Sequence, residues 1–451
     1  MTIMLDKFKS SLQGMASRVA DKASEVNTKM AQKSTASKPD EDQYLVGLDI
    51  GTEFVKALIG RVEGNEVEIV GVGRARQGLS DMQAGAIADI GGVVENCDKA
   101  LNQAEQQAGI SVRTAVIGIA GELVKGTTTT VRVTRKNADK PLDLAEVERI
   151  VTLVQGRAEA KAKKQLAWEL GGKEVEVRLV NSALVGIEID GYKVTSPIGF
   201  QGKEVVVQLY TAFAPLVHIG ALERTAQQLD LDLLAVAAEP FAVSRSVIGD
   251  DTSASMNAIL MDVGGGTTDI AVITDGGVQG TKMFGIGGRA YTRAIERDLN
   301  VEFAQAEALK VGLGAGKVPQ HKAAAVEGAL NKTLDVWMSG VELALAEFDK
   351  LDHLPHKLLL CGGGSSLDLL VDRLNHSNWY TSLPFTRKPS VQHIHPDGNV
   401  VGIIDKTGDA ADHTFVTAMG LLRVGLDTMQ FSVSPNKGGS VRDKIDRILK
   451  T

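Results

Sequence analysis

Cysteine is nearly missing from this chain of 451 residues: only Cys97 and Cys361 occur. Two thiols make no disulfide framework, and a reducing cytosol is the fitting compartment. A chain this long buries a core that needs no covalent staple, and its length allows one to three domains. No apolar run approaches the roughly 18–20 residues of a membrane-crossing helix. Residues 1–30 do not read as a secretory signal, because their apolar residues are spaced out and no small-residue cleavage site follows. Positive charge is not in excess. The 49 basic residues face 56 acidic ones, a net charge of −7, which speaks against a nucleic-acid partner. Aromatics supply only 4% of the chain, whereas glycines number 48. That balance suits α/β folds, whose backbones turn tightly and approach ligands closely. The phosphate-loop pattern G-x-x-x-x-G-K-S/T is absent.

What is present alternates between strand and helix patterns. YLVGLDIG, from Tyr44, reads as a strand entering a glycine turn, and FVKALIGRV and EVEIVGVGRA continue it. Helical spacing covers 89–108, 144–154, 218–229, 305–311, 323–350 and 412–424. Strand patterns cover 115–121, 127–134, 175–190 and 203–215. The segment AILMDVGGGTTDIAVIT (258–274) repeats the opening grammar of strand, aspartate, glycine turn and strand. The chain therefore reads as two related α/β halves with partly parallel sheets. At the start, Leu5, Phe8, Leu12, Met15, Val19 and Val26 fall in an arc of about 80° on a helix over 1–33. A polar stretch, 34–43, follows it. A second polar, Gly-rich stretch at 432–440 precedes a short basic helix over 441–451, with Val441, Ile445, Ile448 and Leu449 on one side.

Three glycine turns sit at strand ends: Asp49-Ile50-Gly51-Thr52, the run Asp262 to Asp269 (DVGGGTTD), and Gly362-Gly363-Gly364-Ser365. Glycine lets backbone N–H groups close on an anion, and threonine hydroxyls add donors. An aspartate at each hairpin suits Mg²⁺, which prefers oxygen ligands and keeps several waters. Positioning and charge neutralisation are what phosphoryl chemistry chiefly requires. Taken alone, the first turn is a plain hairpin as readily as a site, and the third is a helix start as readily as a loop.

Five segments in order resemble the actin-like ATPase superfamily. VGLDIGTEFVKALIG (46–60) and LMDVGGGTTDIAVI (260–273) look like its two phosphate loops, and LLLCGGGSSL (358–367) like its adenosine loop. AVAAEPFAVSRSVI (235–248) and FVTAMGLLR (415–423) look like its two connecting helices. Three further features resemble the FtsA family of bacterial cell-division proteins. They are FGIGG (284–288) followed by QAEALKVGLG (305–314), a long segment between the first phosphate loop and KEVVVQLYTAFAP, and the terminal basic helix.

The resemblance implies a two-lobed actin-like α/β fold with a small inserted domain in the first lobe. The first lobe would comprise 44–83 and 204–253, closed by helix 412–425. The insert would be 84–203, and the second lobe 254–411 with a nucleotide-capping part near 289–330. ATP and Mg²⁺ would lie between the lobes. Asp49 and Asp262 would stand near the metal, and Gly51, Thr52, Gly264, Gly265, Gly266, Thr267 and Thr268 at the phosphates. Glu307, Lys310, Gly362, Gly363, Gly364 and Ser365 would border the nucleoside, although Glu307 and Lys310 read equally as an i,i+3 ion pair. Glu239 falls where related ATPases position the attacking water, or is simply a neighbour of Pro240 at a helix start. The implied role is structural, with slow hydrolysis. Such a protein polymerises with itself, contacts the C-terminal tail of the ring protein FtsZ and other division proteins, and touches the cytoplasmic membrane peripherally through its terminal helices. Both terminal helices read as well as solvated or partner-binding segments. The alternative family is the PilM-like pilus-assembly scaffold, which shares the insert.

Overall fold

The computed structural model describes residues 43–249 and 256–433. The helix expected over 1–33, its linker and the tail helix over 441–451 lie outside the described residues. So does all of the second linker beyond 433.

Tyr44–Ile50 (β1), Phe54–Glu63 (β2) and Glu66–Arg76 (β3) form an antiparallel meander. A small hairpin follows at Met82–Gln83 (β4) and Ala86–Ile87 (β5). Asp89 starts the helix Ile90–Ala108 (α1) by accepting from the Gly91 amide, and Gly109 ends it with φ 72°. Thr114–Ile119 (β6) then pairs in parallel with β1. The insert therefore does not begin at 84. Residues 90–119 belong to the first lobe, because β6 hydrogen-bonds directly to its central strand.

The insert comprises Lys125–Thr134 (β7), Leu144–Glu169 (α2), Val177–Ile189 (β8), Tyr192–Val194 (β9) and Glu204–Pro215 (β10). Its end moves from 203 to 215, since β10 pairs along its length with both β7 and β8. α2 covers these strands over a core of its own that includes Val131, Val151, Val154 and Leu209. Lower on β10, Tyr210 leaves that core and stacks flat on Phe241, with ring centroids 5.5 Å apart. Leu216–Gln228 (α3), Asp232–Ala238 (β11) and Glu239–Ile248 (α4) complete the first half.

The second lobe repeats the opening. Ala258–Val263 (β12), Thr268–Thr274 (β13) and Gly277–Phe284 (β14) form another meander. The helices Gly288–Leu299 (α5), Phe303–Gly314 (α6) and Gln320–Ala346 (α7) follow. Lys357–Cys361 (β15) then pairs in parallel with β12, as β6 does with β1. Asp368–His376 (α8), Ser390–His393 (β16) and Pro396–Asn399 (α9) come next. The chain returns to the first lobe earlier than expected: Ile403–Asp405 (β17) pairs with β3, so the second lobe ends before 411. The last helix among the described residues, Val416–Val433 (α10), starts after a turn at His413–Phe415 and runs beyond 425.

The six-stranded sheet has the order β11-β6-β1-β2-β3-β17. The nine-stranded sheet has the order β16-β15-β12-β13-β14-β7-β10-β8-β9. The latter passes into the insert through the single residue pair Gly280 and Thr127. α4 and α10 cross with their backbones in contact, because a Cβ at Gly420 would stand 2.3 Å from the Ala242 carbonyl oxygen. Residues of both sheets share one core around this crossing, including Val46, Ala242, Leu260 and Leu421. A second core, around Trp337, fills the outer side of the second lobe.

Candidate functional site

Both meanders turn at glycine, and both turns open on one cavity of about 490 Å³. Asp49 stands near the end of β1, with Lys56 opposite it on β2. Asp262 stands near the end of β12, with Asp269 opposite it on β13. All four side chains line the cavity. Like charges directly across a strand pair repel, so the second hairpin needs a proton or a cation to be comfortable.

Lys56 Nζ donates to Asp49 Oδ2 at 2.8 Å. Burial alone would pull this ammonium down, but Asp49 and, behind it, Asp262 hold it above the usual lysine range. Asp262 Oδ2 accepts from the Thr417 hydroxyl at the start of α10. Its Oδ1 lies against Gly362, where a Cβ would be only 2.0 Å away; with φ +80°, that position accepts glycine alone. Asp269 Oδ2 accepts from Thr267 Oγ1 at 2.9 Å, while its Oδ1 is buried with no partner among the described residues. Burial, then the Asp262 charge, push Asp269 up to about 8. Glu239, the first residue of α4, is held well above the ordinary carboxyl range by burial and then by Asp49, Asp269 and Asp262. Burial raises Asp262 as well. Four carboxyl groups thus crowd around the Lys56 ammonium, and a bound cation would relieve them.

The opposite wall comes from α5, α6 and the loop after β15. Gly288 N and Arg289 N, at the start of α5, donate to the Gly264 and Gly265 carbonyls at 2.9 and 2.8 Å, which locks the second hairpin turn against that helix. Gly287 makes the approach possible, since its Cβ would stand 2.6 Å from the Gly264 oxygen. Lys310 Nζ bridges Glu307 (2.8 Å), Thr292 Oγ1 (2.8 Å) and the Gly288 carbonyl (3.0 Å). The Gly362–Ser366 loop is held from behind. His413 O accepts from the Gly362 amide, the His413 ring meets Ser366 Oγ at 3.0 Å, and His393 Nε2 donates to the Ser365 carbonyl at 3.0 Å. Burial, then the neighbouring His393, push His413 down to about 4, so it is neutral in this role at neutral pH. Across the mouth, Arg289 Nε donates to Glu53 Oε2 at 2.7 Å, joining the second lobe to the first hairpin.

Comparison with known proteins adds a likeness to one family. The sequence model of the family described as Cell division protein FtsA matches residues 259–420. The FtsA of Pseudomonas aeruginosa is 25% identical over 423 residues, covering 88% of this chain and 93% of that protein. The FtsA of Bacillus subtilis is 26% identical over 278 residues, 61% of this chain and 59% of its own length. The chain is similar to FtsA. Among solved structures, the PilM-PilN type IV pilus biogenesis complex is similar with a TM-score of 0.61 and 17% identity, covering 85% of this chain and 98% of that one. That likeness concerns the fold, and the two-lobed actin-like α/β architecture expected from the motifs is the one observed.

On this FtsA-like frame the structure brings most of the expected site residues together. Asp49, Gly51, Thr52, Glu239, Asp262, Gly264, Gly265, Thr267, Glu307, Lys310, Gly362, Gly363 and Gly364 all line the cavity. Gly266 does not line it; this glycine packs against Thr52, where a Cβ would be 2.7 Å from Oγ1. Thr268 and Ser365 do not line it either. The Thr268 hydroxyl donates to the Ile286 carbonyl and accepts from Trp337 Nε1, on the core side of its strand. Ser365 Oγ turns back on its own loop and donates to the Gly362 carbonyl at 2.7 Å. The motif reading gave no site role to Lys56, Asp269, Arg289 or Tyr291, which also line the cavity. For Lys56 and Asp269 a signal existed: each sits directly across a tight hairpin from a predicted aspartate.

Proposed function

We propose that the chain is an ATP-binding, actin-like cytoskeletal protein that polymerises at the cytoplasmic membrane and anchors the FtsZ ring during cell division. The observation that carries the nucleotide reading is the pair of aspartate hairpins, from two lobes, opening on one cavity. The donor set fits a metal-bound triphosphate. Carboxyls outnumber nearby cations at the hairpins, one buried Asp269 oxygen lacks a partner among the described residues, and glycines leave space where any Cβ would collide. Asp49 and Asp262 would hold Mg²⁺, which ordinarily takes one or two carboxylates plus phosphates and water. The bound ion would neutralise charge on the phosphates. Lys56 would add positive charge at the first hairpin, and the glycine turns would present backbone amides to phosphate oxygens. Lys310 and Glu307 would border the ribose side. Glu239 faces the same cavity and would orient water there, with hydrolysis slow.

The division role rests on the relation to FtsA. The FtsZ C-terminal tail, a second copy of the chain and other division proteins are its proposed partners. Among the described residues no helix is long and apolar enough to cross a membrane. Membrane contact would therefore fall to the amphipathic sequences at the termini. The likeness to the PilM-PilN complex keeps one other reading in play, that of a pilus-assembly scaffold. Binding of an FtsZ tail peptide separates the two.

Replacing Asp262 with Ala should abolish binding of Mg-ATP, read by fluorescence of a labelled ATP analogue. Unchanged affinity in that variant refutes the nucleotide site.

A further inference from the structure

A second cavity, of about 810 Å³, lies at the seam between the inserted module and the second lobe, and the nucleotide reading makes no use of it. β7 and the last turns of α2 line it from the module, β14 and the chain just after α7 from the lobe. Four lysines stand in its wall: Lys125 and Lys161 on the module, Lys282 and Lys350 on the lobe. Two of them are answered. Lys125 Nζ pairs with Glu169 at 2.7 Å, and Lys282 pairs with Glu347. Glu122, also in the wall, accepts from the Gly285 amide at 2.6 Å. Lys161 and Lys350 form no ion pair or hydrogen bond among the described residues, and Asp349 is the one carboxylate of the wall left to face them. Burial, then the charges of Lys350 and Lys282, pull Lys161 below the usual lysine range, and Asp349 offsets less than any of these. Ammonium groups of two modules thus face one another across a seam, an arrangement that an entering anion relieves.

The rim of this cavity carries an aromatic side chain. Trp168 follows Gln165 by three positions and Lys161 by seven, so the three share one face of α2, and the first two line the cavity. Trp168 is nevertheless 81% exposed. Tryptophan is enriched among the residues that carry protein–protein binding energy, and clustered cations recognise acidic motifs. A small anion would meet the ammonium groups and leave the indole in water. A stretch of chain bearing both carboxylates and an apolar side chain covers both. We propose that this seam is a docking surface for an acidic peptide segment of a partner protein, its carboxylates set between Lys161 and Lys350 and an apolar side chain laid on Trp168. A segment held by both lysines would tie the inserted module to the second lobe.

The chain's three tryptophans suit the test. Trp337 is fully buried and Trp379 is 7% exposed, so acrylamide quenches chiefly Trp168. The probe is the blocked peptide EELEELEE, titrated into the full chain. It should shield Trp168 from acrylamide, with an affinity that falls as salt is raised. The double variant Lys161→Gln with Lys350→Gln should bind the peptide roughly tenfold more weakly. Its melting temperature without peptide should stay level or rise, because two facing like charges have been removed. Lys161→Arg with Lys350→Arg keeps both charges and should keep the binding. Absence of shielding overturns the inference, as does full affinity in the Gln variant. Equal shielding by inorganic phosphate also overturns it, marking a small-anion site in place of a peptide surface. If the Gln variant loses stability as well as binding, the Arg variant decides: weak binding there rejects the lysines as a charge-reading pair, and full binding upholds them.

Discussion

Asp269 carries a proton at neutral pH because burial and Asp262 raise it to about 8, whereas a free aspartate titrates near ~3.9. Between those values the folded state keeps a proton that the unfolded chain has released. The contribution of this group to stability is therefore greatest below pH ~4, and is lost as pH climbs towards about 8. The slope per group is at most ~1.4 kcal/mol for each pH unit. Glu239, raised by burial and the same neighbours, adds to it with the same sign. Between pH ~6.5 and about 8, above the range where His413 titrates with the opposite sign, the melting temperature of the ligand-free protein should fall as pH rises, and Asp269→Asn should flatten that part of the profile. An identical profile in the variant would contradict the burial argument. Residue by residue, legibility followed backbone need. Asp49, Asp262 and the glycines of the three turns could be named because a tight turn beside an acidic group leaves a fixed spacing. Thr268 and Ser365 could not be oriented, because a hydroxyl's direction is decided by partners such as Trp337, 69 positions away. Tyr291 carried no motif at all.

At the scale of elements, the crossing of α4 and α10 is the tightest demand on side-chain size. With a Cβ at position 420 only 2.3 Å from the Ala242 carbonyl oxygen, the helices must separate to admit even alanine. Gly420→Ala should cost about 1–3 kcal/mol, and Gly420→Val more, read as successive drops in melting temperature. A drop no larger than that of an exposed helical Gly→Ala change would mean that the crossing relaxes freely. The small residues of both segments were visible in the sequence, yet the first was read as helix throughout. Asp232–Ala238 is a strand because it pairs in parallel with β6, and this outweighs the helical preference of its alanines and leucines. Pro240 then fixes the helix start. The insert's helix α2 was cut short at 154 for the opposite reason. Beyond that point its buried side chains are Ala158, Ala162 and Leu166, and alanine barely registers as an apolar beat.

For the whole molecule, the duplication of meander plus parallel strand was readable from the repeated Asp-Gly grammar. The seams between lobes and insert were not, because β17 and β6 join sheets far from their sequence neighbours. Closure of the cleft mouth was equally hidden. Arg289 and Glu53 join across it, both less than a fifth exposed, and Glu53 also accepts from Arg76. A charge-assisted bond of this kind contributes about 1–2 kcal/mol, a factor of roughly 5–30 in a rate that requires it to break. Glu53→Ala should release a fluorescent ATP analogue faster by that order in stopped-flow displacement. An unchanged release rate would mean that the clasp does not gate the cleft.

The stacked rings of Tyr210 and Phe241 have a further implication. The first belongs to the inserted module, and the second lies two residues beyond Glu239 on the same helix. A load that tilts the module thus bears on the root of the carboxyl facing the cavity, through two touching aromatic plates and half a helical turn. The module is also fastened to β14, by the rung between Gly280 and Thr127 and by the Thr128 hydroxyl donating to the Val278 carbonyl.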